Sequence, residues 1–180
     1  MRCLHGLLLA STIGCRHADR ALPVPATTGP VTIDGEWEES DWSKVALREQ
    51  FVDETGALAR PSSEIRLLHD AQTIYIGLYA ADDNIQSTDA FDVSLDSLAL
   101  HVDATGKVTP DVPGLRVAID RDGTLDDPSN YDEEWVLEIA VPLSATTLAA
   151  DHATTVHARR CDVPKQGGKR CGGWSGSVGF

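Results

Sequence analysis

Apolar side chains recur at every second position along most of the chain, and this period predicts β-strands. In residues 133–142, Trp135, Leu137 and Ile139 fall on one face, while Glu138 falls on the other. The segment ends at a proline, which cannot continue a central strand. The same pattern predicts further strands at residues 63–70, 73–82, 97–106, 114–123 and 154–163, with a last one at 174–180.

The strands define the fold class. Roughly seven to nine of them follow one another at intervals of about 8 to 12 residues, bounded by Gly, Pro and Asp. Helical periodicity is limited to a short amphipathic stretch at residues 38–46 and a turn near 145–151. We therefore predict an all-β chain: an antiparallel β-sandwich, immunoglobulin-like or jelly-roll-like, with one short helix near its start.

The first residues have the pattern of an export signal. Arg2 precedes a short apolar run, and small residues lead to Cys15. We interpret residues 1–14 as a signal peptide and Cys15 as a lipidated N-terminus, because the string TIGC is similar to a bacterial lipobox. The alternatives are cleavage nearby by the ordinary signal peptidase, or an uncleaved tail.

One anchored domain follows this signal. Residues 15–30 mix charge, proline and small side chains without an apolar face, which predicts a lipidated anchor and a flexible tether. Residues 31–180 are then the domain, and cleavage would leave 180 − 14 = 166 residues, enough for a single core. The expected location is the cell envelope, in the periplasm or at the outer membrane.

The chain is strongly acidic. The signal carries Arg2 and no acid, so the mature balance is 14 Lys+Arg against 28 Asp+Glu, or −14. Binding to nucleic acid or to anionic lipid depends on positive side chains that neutralise phosphates. We therefore exclude nucleic acid as a partner, and we expect membrane contact only through the lipid anchor.

The cysteines predict a disulfide. Cys3 lies in the signal and Cys15 is the candidate anchor, which leaves Cys161 and Cys171 as a pair in an exported protein. The chain-entropy model gives such a short loop a stabilisation on the order of 3 kcal/mol. A zinc site would need further ligands, and no CxxC or HxxxH motif supplies them.

A cluster of acids suggests calcium as the one candidate cofactor. Asp120, Asp122 and Asp126 are the candidate ligands, since oxygen atoms are what calcium prefers. The pattern is not an EF-hand, because Ala118 occupies the position of the first aspartate. In the alternative interpretation, Asp122 and Gly123 make a hairpin turn and the later acids form a solvated loop.

Catalytic motifs are missing from the sequence, so we predict no enzyme activity. There is no HExxH, Walker loop or GxGxxG, and the string GWSGS lacks the final glycine of a nucleophile elbow. A glycosidase needs two carboxylates about 5 to 9.5 Å apart. With 28 acids in the chain, the spacing selects no particular pair.

Several separated strings resemble the family 9 carbohydrate-binding modules and the secreted sandwich domains around them. The resemblance covers residues 31 to 175, and its most specific parts are the opening IDG-E-W and the pair LLHD…IYIGLYAAD. It implies an antiparallel β-sandwich that recognises sugar without cleaving it, in some members with bound calcium. The strings are VTIDGEWEESDWSKV, EIRLLHDAQTIYIGLYAAD, RVAIDRDGT, DEEWVLEIAVPLS and RRCDVPKQGGKRCGGW.

The resemblance also implies candidate ligand-binding residues. Trp174 falls near the late tryptophan of the family, and Arg160 and Asp162 stand near its polar residues. Trp37 is a further candidate, although a half-exposed structural position is the alternative. Trp174 either stacks on a sugar or packs over the disulfide. Trp42 is predicted to lie in the core, on the buried face of the short helix.

Three functions are compatible with these residues. The first is a non-catalytic carbohydrate-binding module of a cell-envelope lipoprotein, binding a poly- or oligosaccharide. The second is an envelope interaction or scaffold domain that has kept the sandwich and lost the sugar site. The third is a glycoside-processing enzyme, which would need a cleft with two suitably spaced carboxylates.

Overall fold

A computed structural model describes residues 21–148 and 153–180, which form two β-sheets packed face to face. A single helix, α1, spans Ser40–Lys44, and a short 3-10 helix spans Leu143–Ala145. The strands are β1 (Leu22–Pro23), β2 (Leu47–Gln50), β3 (Ser63–His69), β4 (Thr73–Ala81), β5 (Ala90–Leu95), β6 (Leu98–Asp103), β7 (Val108–Thr109), β8 (Arg116–Asp122), β9 (Glu134–Pro142), β10 (Ala153–Asp162) and β11 (Arg170–Gly179).

The two sheets have different strand orders. The six-stranded sheet runs β1-β11-β10-β5-β6-β7, and the five-stranded sheet runs β2-β3-β4-β9-β8. All pairs are antiparallel except β1 with β11, which is a two-residue parallel pair. The predicted antiparallel β-sandwich is confirmed, with a few short strands beyond the seven to nine expected.

A tight turn explains why one strand was not predicted. β5 and β6 are joined by Asp96 and Ser97, and Asp96 has a positive φ of 55°, which short polar residues tolerate in turns. The alternation of Phe91, Val93 and Leu95 continues up to this turn, and all three side chains are buried. The sequence pattern was therefore present, but it lacks the glycine or proline that usually marks a strand end.

The main core lies between the two sheets. Trp135 on β9 is fully buried, and its ring centroid is 5.0 Å from that of Phe91 on β5. Phe51 extends this aromatic row, 5.9 Å from Phe91 in an edge-on arrangement. These contacts bring residues of both sheets together, as expected for inward-facing positions of a sandwich.

A second, smaller core lies on the outer face of the five-stranded sheet. The segment that contains α1 crosses this face and buries Trp42 to 2% exposure against Leu68, Tyr75 and Ala140. A buried indole removes 150 to 250 Å² from water, which at about 25 cal/mol per Å² contributes several kcal/mol. The predicted core role of Trp42 is confirmed.

The chain joins the domain before residue 31. β1 pairs with β11, Val24 is 4% exposed, and Thr28 donates a hydrogen bond from its backbone N–H to Asp41 Oδ2 at 2.6 Å. Residues from Leu22 onward, which lie within the predicted tether, are therefore part of the folded domain. The predicted signal, Cys15 and the first part of the tether lie outside the described residues, as does the end of the predicted turn at 145–151.

Within residues 21–148 and 153–180, no helix has the length and apolar character that crossing a bilayer requires.

Candidate functional site

A cleft of about 480 Å³ opens on the outer face of the five-stranded sheet, beside the segment that covers the second core. This volume lies in the range of about 300 to 1,000 Å³ that is typical of small-ligand sites. The cleft has aromatic and charged walls, and its principal side chains are Trp37, Arg48, Glu64, Arg66, Tyr79 and Glu134.

The strand register places these side chains together. Alternate residues of a strand point to the same face, so cross-strand partners on the outer face are neighbours. Arg48 on β2 is paired with Arg66 on β3, and Glu64 on β3 is paired with Tyr79 on β4. The charged residues of β3 alternate with Ile65 and similar apolar residues, which face the main core.

Glu64 organises the two arginines of the cleft. Its Oε2 accepts a hydrogen bond from Arg48 Nε at 2.7 Å, and its Oε1 accepts one from Arg66 Nε at 2.6 Å. The Glu64 side chain is 7% exposed, whereas that of Arg48 is 60% exposed. Arg66 Nη1 also donates to the carbonyl oxygen of Trp42 at 3.0 Å. The Arg66 guanidinium group is therefore fixed, and that of Arg48 keeps donors for a partner in solution.

Trp37 forms a half-buried wall of the cleft. Its indole lies on Gly77, where a Cβ atom would come within 2.8 Å of Trp37 Nε1. The Arg66 guanidinium carbon lies 3.9 Å from the Trp37 ring centroid, a cation–π arrangement, and the Trp42 ring stacks 6.1 Å away. The indole is thus held in place by its neighbours before any ligand arrives. Trp37 is half-buried, so part of its ring is open to the cleft, and its predicted role as a ligand-binding residue stays a prediction.

A buried carboxylate fixes the loop that carries Trp37. Glu138 Oε2 accepts hydrogen bonds from the backbone N–H groups of Asp34 and Gly35, each at 2.9 Å. Gly35 has φ +95° and lies so close to the backbone of Ile119 that a Cβ atom would not fit. Burial raises the pKa of Glu138 to about 7, although the two backbone donors oppose the shift.

Negative charge dominates the cleft. Five acids line it beside only two arginines. Glu36 is one of these acids, and the neighbouring Glu38 raises its pKa by repulsion. Burial and the nearby Glu134 carboxylate raise the pKa of Tyr79 to about 12. The phenol therefore stays protonated at neutral pH.

Sequence reasoning missed most of this cleft. Arg48 lies outside the strands predicted from sequence, and Glu64 and Arg66 are polar positions within the strand predicted at 63–70. Their alternation with apolar residues was visible and placed them on one face. What the sequence could not provide was the pairing of β2 with β3, which brings Arg48 to the same carboxylate.

The structure places Trp174 away from Trp37. Trp174 lies on β11 at the position paired with the buried Ala158, and it packs against the main core while remaining half-buried. Its ring lies across Gly176, where there is no room for a Cβ atom. Trp37 is on the outer face of the other sheet, so the two tryptophans do not line one site.

Arg160 and Asp162 lie in the interior and not at the surface where a sugar would bind. Arg160 Nη2 donates to Asp82 Oδ2 at 2.7 Å and to Asp162 Oδ1 at 2.8 Å, and the three side chains are at most 4% exposed. Burial raises the pKa of Asp162 to about 6 even though Arg160 opposes the shift. The structure thus corrects the placement of Arg160 and Asp162 among sugar-binding residues. The sequence does not show whether a charged residue of a strand faces inward, because that depends on its partner, here Asp82.

The three acids predicted as calcium ligands are not brought together. Asp120 lines the Trp37 cleft, Asp122 ends β8, and Asp126 lies in the following loop, where its Oδ1 accepts a hydrogen bond from Ser87 N–H at 2.8 Å. All three are exposed. Among the described residues, the acids that do converge are elsewhere, so the prediction of calcium at these positions is corrected. Asp120 and Asp122 share one face of β8, but Asp126 lies beyond the end of the strand and is engaged by Ser87, so proximity in sequence did not make one site.

The predicted disulfide is present. Cys161 and Cys171 are directly opposite each other on β10 and β11, with their Cα atoms 4.1 Å apart. The bond links the two strands next to the loop that connects them.

Comparison with known proteins identifies the fold. No family model and no curated protein matches the chain. Solved structures do match: a carbohydrate-binding module of family 9 from Caldicellulosiruptor kristjanssonii in complex with cellotriose has a TM-score of 0.57 at 15% identity, covering 86% of this chain and 83% of that one. The same kind of module from this organism in complex with glucose gives 0.57 at 16% identity, covering 84% of each chain. The chain therefore has the fold of the family 9 carbohydrate-binding modules, as the resemblance between the sequences predicted.

Proposed function

We propose that this chain is a non-catalytic carbohydrate-binding module and that the Trp37 cleft holds the sugar. The observation that carries the proposal is the row of Arg48, Glu64 and Arg66 beside Trp37 and Tyr79, in a cleft of suitable volume. Modules of the same fold have been solved in complex with cellotriose and with glucose, which supports a sugar as the ligand class.

The chemistry of the cleft suits hydroxyl groups. A sugar hydroxyl both donates and accepts, and the cleft offers guanidinium donors next to carboxylate acceptors. Because Glu64 already orients both arginines, little side-chain entropy is lost when a ligand binds. The exposed parts of Trp37 and Tyr79 supply apolar surface for the faces of the sugar ring.

The charge of the cleft selects among sugars. Five acids beside two arginines repel carboxylated or sulfated polysaccharides, since like charges in a partly buried site cost binding energy. Neutral gluco-oligosaccharides avoid this cost. We therefore infer that neutral sugars are the ligands and that uronic acid polymers are rejected.

The ion pairs of Glu64 favour binding over cleavage. Both of its oxygens are engaged by guanidinium groups, which leaves neither free to act on a leaving group. A glycan array with the full chain tests this function, with neutral glucans expected to bind and polyuronates expected not to bind. Reducing ends released from a bound glucan would instead support a glycoside-processing enzyme.

We further propose that the domain is exported and anchored to the cell envelope by a lipid on Cys15. The proposal depends on the N-terminal pattern of Arg2, a short apolar run and TIGC. The variant Cys15→Ser should be found in the soluble fraction instead of the membrane fraction. If the Ser variant remains in the membrane fraction, the lipid anchor is wrong.

A further inference from the structure

Four exposed cations gather around the disulfide bond, although the chain as a whole carries a formal charge of −13. Arg60, Lys169 and Arg170 line a cavity of about 390 Å³ beside Cys171, and Arg159 lines the groove next to it. We call these four residues the cationic patch. Like charges that share one cavity repel each other, so such a cluster is stabilised when an anion binds to it.

The acids nearby do not neutralise the cationic patch. Asp53 and Glu54 are the two acids that line the same cavity. Asp53 Oδ1 accepts hydrogen bonds from the backbone N–H and the hydroxyl of Thr55, at 2.8 and 2.7 Å, and these bonds hold the pKa of Asp53 below its usual value. Among residues 21–148 and 153–180, no cation of the patch forms an ion pair, whereas three arginines elsewhere do. Four cations beside two acids leave two positive charges without a partner.

The segments that carry these cations are tied together at one point. Val52 and Gly173 exchange two backbone hydrogen bonds, each N–H donating to the other carbonyl at 2.9 Å, which fixes the segment before β3 to β11. Ala59 packs on Gly172, where a Cβ atom would come within 2.5 Å of the alanine side chain. The disulfide joins Cys171 to β10. The backbone of the patch is therefore ordered before any ligand binds, which lowers the entropy cost of binding.

We propose that the cationic patch binds the phosphate group of a small, soluble phosphate ester. Guanidinium groups present pairs of N–H donors that match phosphate oxygens, and a lysine adds a compact positive charge. A phosphate ester has three terminal oxygens and about 1.5 to 2 negative charges, which matches the three cations of the cavity and the two charges left without a partner. A carboxylate has two oxygens and one charge, so it would leave part of the patch unused.

The rest of the chain favours a small soluble ligand. A net charge of −13 repels nucleic acid and long acidic polysaccharides, so a compact ligand with one phosphate fits best. The proposed anchor precedes Leu22, which pairs with Val178, and this residue lies 178 − 170 = 8 positions, or about 26 Å of extended strand, from Arg170. This distance favours a soluble phosphate over a lipid headgroup. The patch shares no lining residue with the Trp37 cleft, so the proposal does not depend on the proposed function.

An NMR titration of the full chain with glycerol 3-phosphate tests the proposal. The backbone amide signals of Arg60, Lys169 and Arg170 should shift and then saturate, with one ligand bound per chain. Glycerol at the same concentrations is the control for the uncharged part of the ligand, and sodium chloride at the same ionic strength is the control for screening of charges. Neither control should give saturable shifts at these residues.

Two double variants locate the phosphate. Arg60→Gln with Lys169→Gln replaces two exposed side chains, so the protein should fold and bind glycerol 3-phosphate roughly tenfold more weakly or worse. Lys44→Gln with Lys107→Gln removes the same charge at exposed positions elsewhere and should bind as the wild type does. The proposal is overturned if the wild type shows no saturable shifts, or if the first double variant binds no more weakly than the second. Retention on vesicles that contain phosphatidylglycerol, without binding of glycerol 3-phosphate, would overturn it as well.

Discussion

Glu138 shows how one buried carboxylate shapes the Trp37 cleft. Its side chain is fully buried, and it holds the loop of Asp34 and Gly35 through two backbone hydrogen bonds. The second oxygen, Oε1, has no partner in the described part of the chain. The cost of burying this group makes the stability of the loop depend on pH.

Because of Glu138, we expect the folded protein to lose stability as pH rises. Burial raises its pKa from 4.5 to about 7, with the charges of Asp34 and Glu39 acting in the same direction. The folded protein therefore binds this proton more tightly than the unfolded chain. The stabilisation is complete below pH 4.5 and is lost as pH rises through 7, a change of roughly 3 kcal/mol in the free energy of unfolding.

Urea denaturation at several pH values measures this effect. Glu138→Gln keeps an oxygen for the two backbone donors and cannot ionise, so its free energy of unfolding should fall less between pH 4.5 and 8 than that of the wild type. Glu54→Gln, at an exposed position, should follow the wild type. Parallel curves for wild type and Glu138→Gln would show that another group carries the dependence.

Individual residues were predictable from sequence where the neighbouring pattern determines their environment. Trp42 and Trp135 lie among apolar partners at the right spacing, and both are buried. Arg160 and Asp162 also alternate within a strand, but their face is decided by Asp82, a residue far away in sequence. Alternation gives two faces without saying which one is inside when both carry charges.

Among the elements, β10 and β11 form the hairpin that carries the disulfide. Cys161 and Cys171 are opposite each other in the register of the two strands. The loop between them contains Gly167 and Gly168 and is the long connection of this hairpin. In the chain-entropy model, closing a loop of this length restricts the unfolded chain more than the folded one.

Removing the disulfide should therefore lower the free energy of unfolding by about 3 kcal/mol. The double variant Cys161→Ser with Cys171→Ser is compared with the wild type by urea denaturation under oxidising conditions. Reduced wild type should match the double variant, which controls for the replacement of sulfur by oxygen. A loss well under 1 kcal/mol in both would contradict this account and would mean that residual structure already restricts the unfolded chain.

Elements were predicted best where the strands are long. β3, β4 and β9 have strong alternation over seven to nine residues, and each was predicted within two residues of its observed ends. β2 has only four residues and was not predicted, because alternation over four residues cannot be distinguished from an irregular segment. The pairing of β2 with β3 is what completes the cleft, so the missed strand also hid the site.

At the scale of the whole molecule, the tryptophans lie in two separate places. Trp135 and the half-buried Trp174 pack with the core between the sheets, while Trp37 and Trp42 cover the outer face of the five-stranded sheet. The sequence resemblance predicted the sandwich correctly, but the position of the cleft depends on which outer face the N-terminal segment crosses. That choice is made by tertiary packing of Trp42 and its neighbours.

The central claim is that the Trp37 cleft binds a neutral sugar. Titration calorimetry of the full chain with cellotriose tests it most directly. Arg48 is 60% exposed and is held by one ion pair, so Arg48→Ala should leave the melting temperature nearly unchanged. Losing a charged donor to the sugar should weaken binding roughly 10- to 100-fold.

Arg159→Ala is the matched control for this titration, since Arg159 is exposed on the outer face of the other sheet. The account predicts that cellotriose binds the wild type and Arg159→Ala with equal affinity and binds Arg48→Ala at least tenfold more weakly. Equal affinity for all three proteins, or a loss confined to Arg159→Ala, would contradict it.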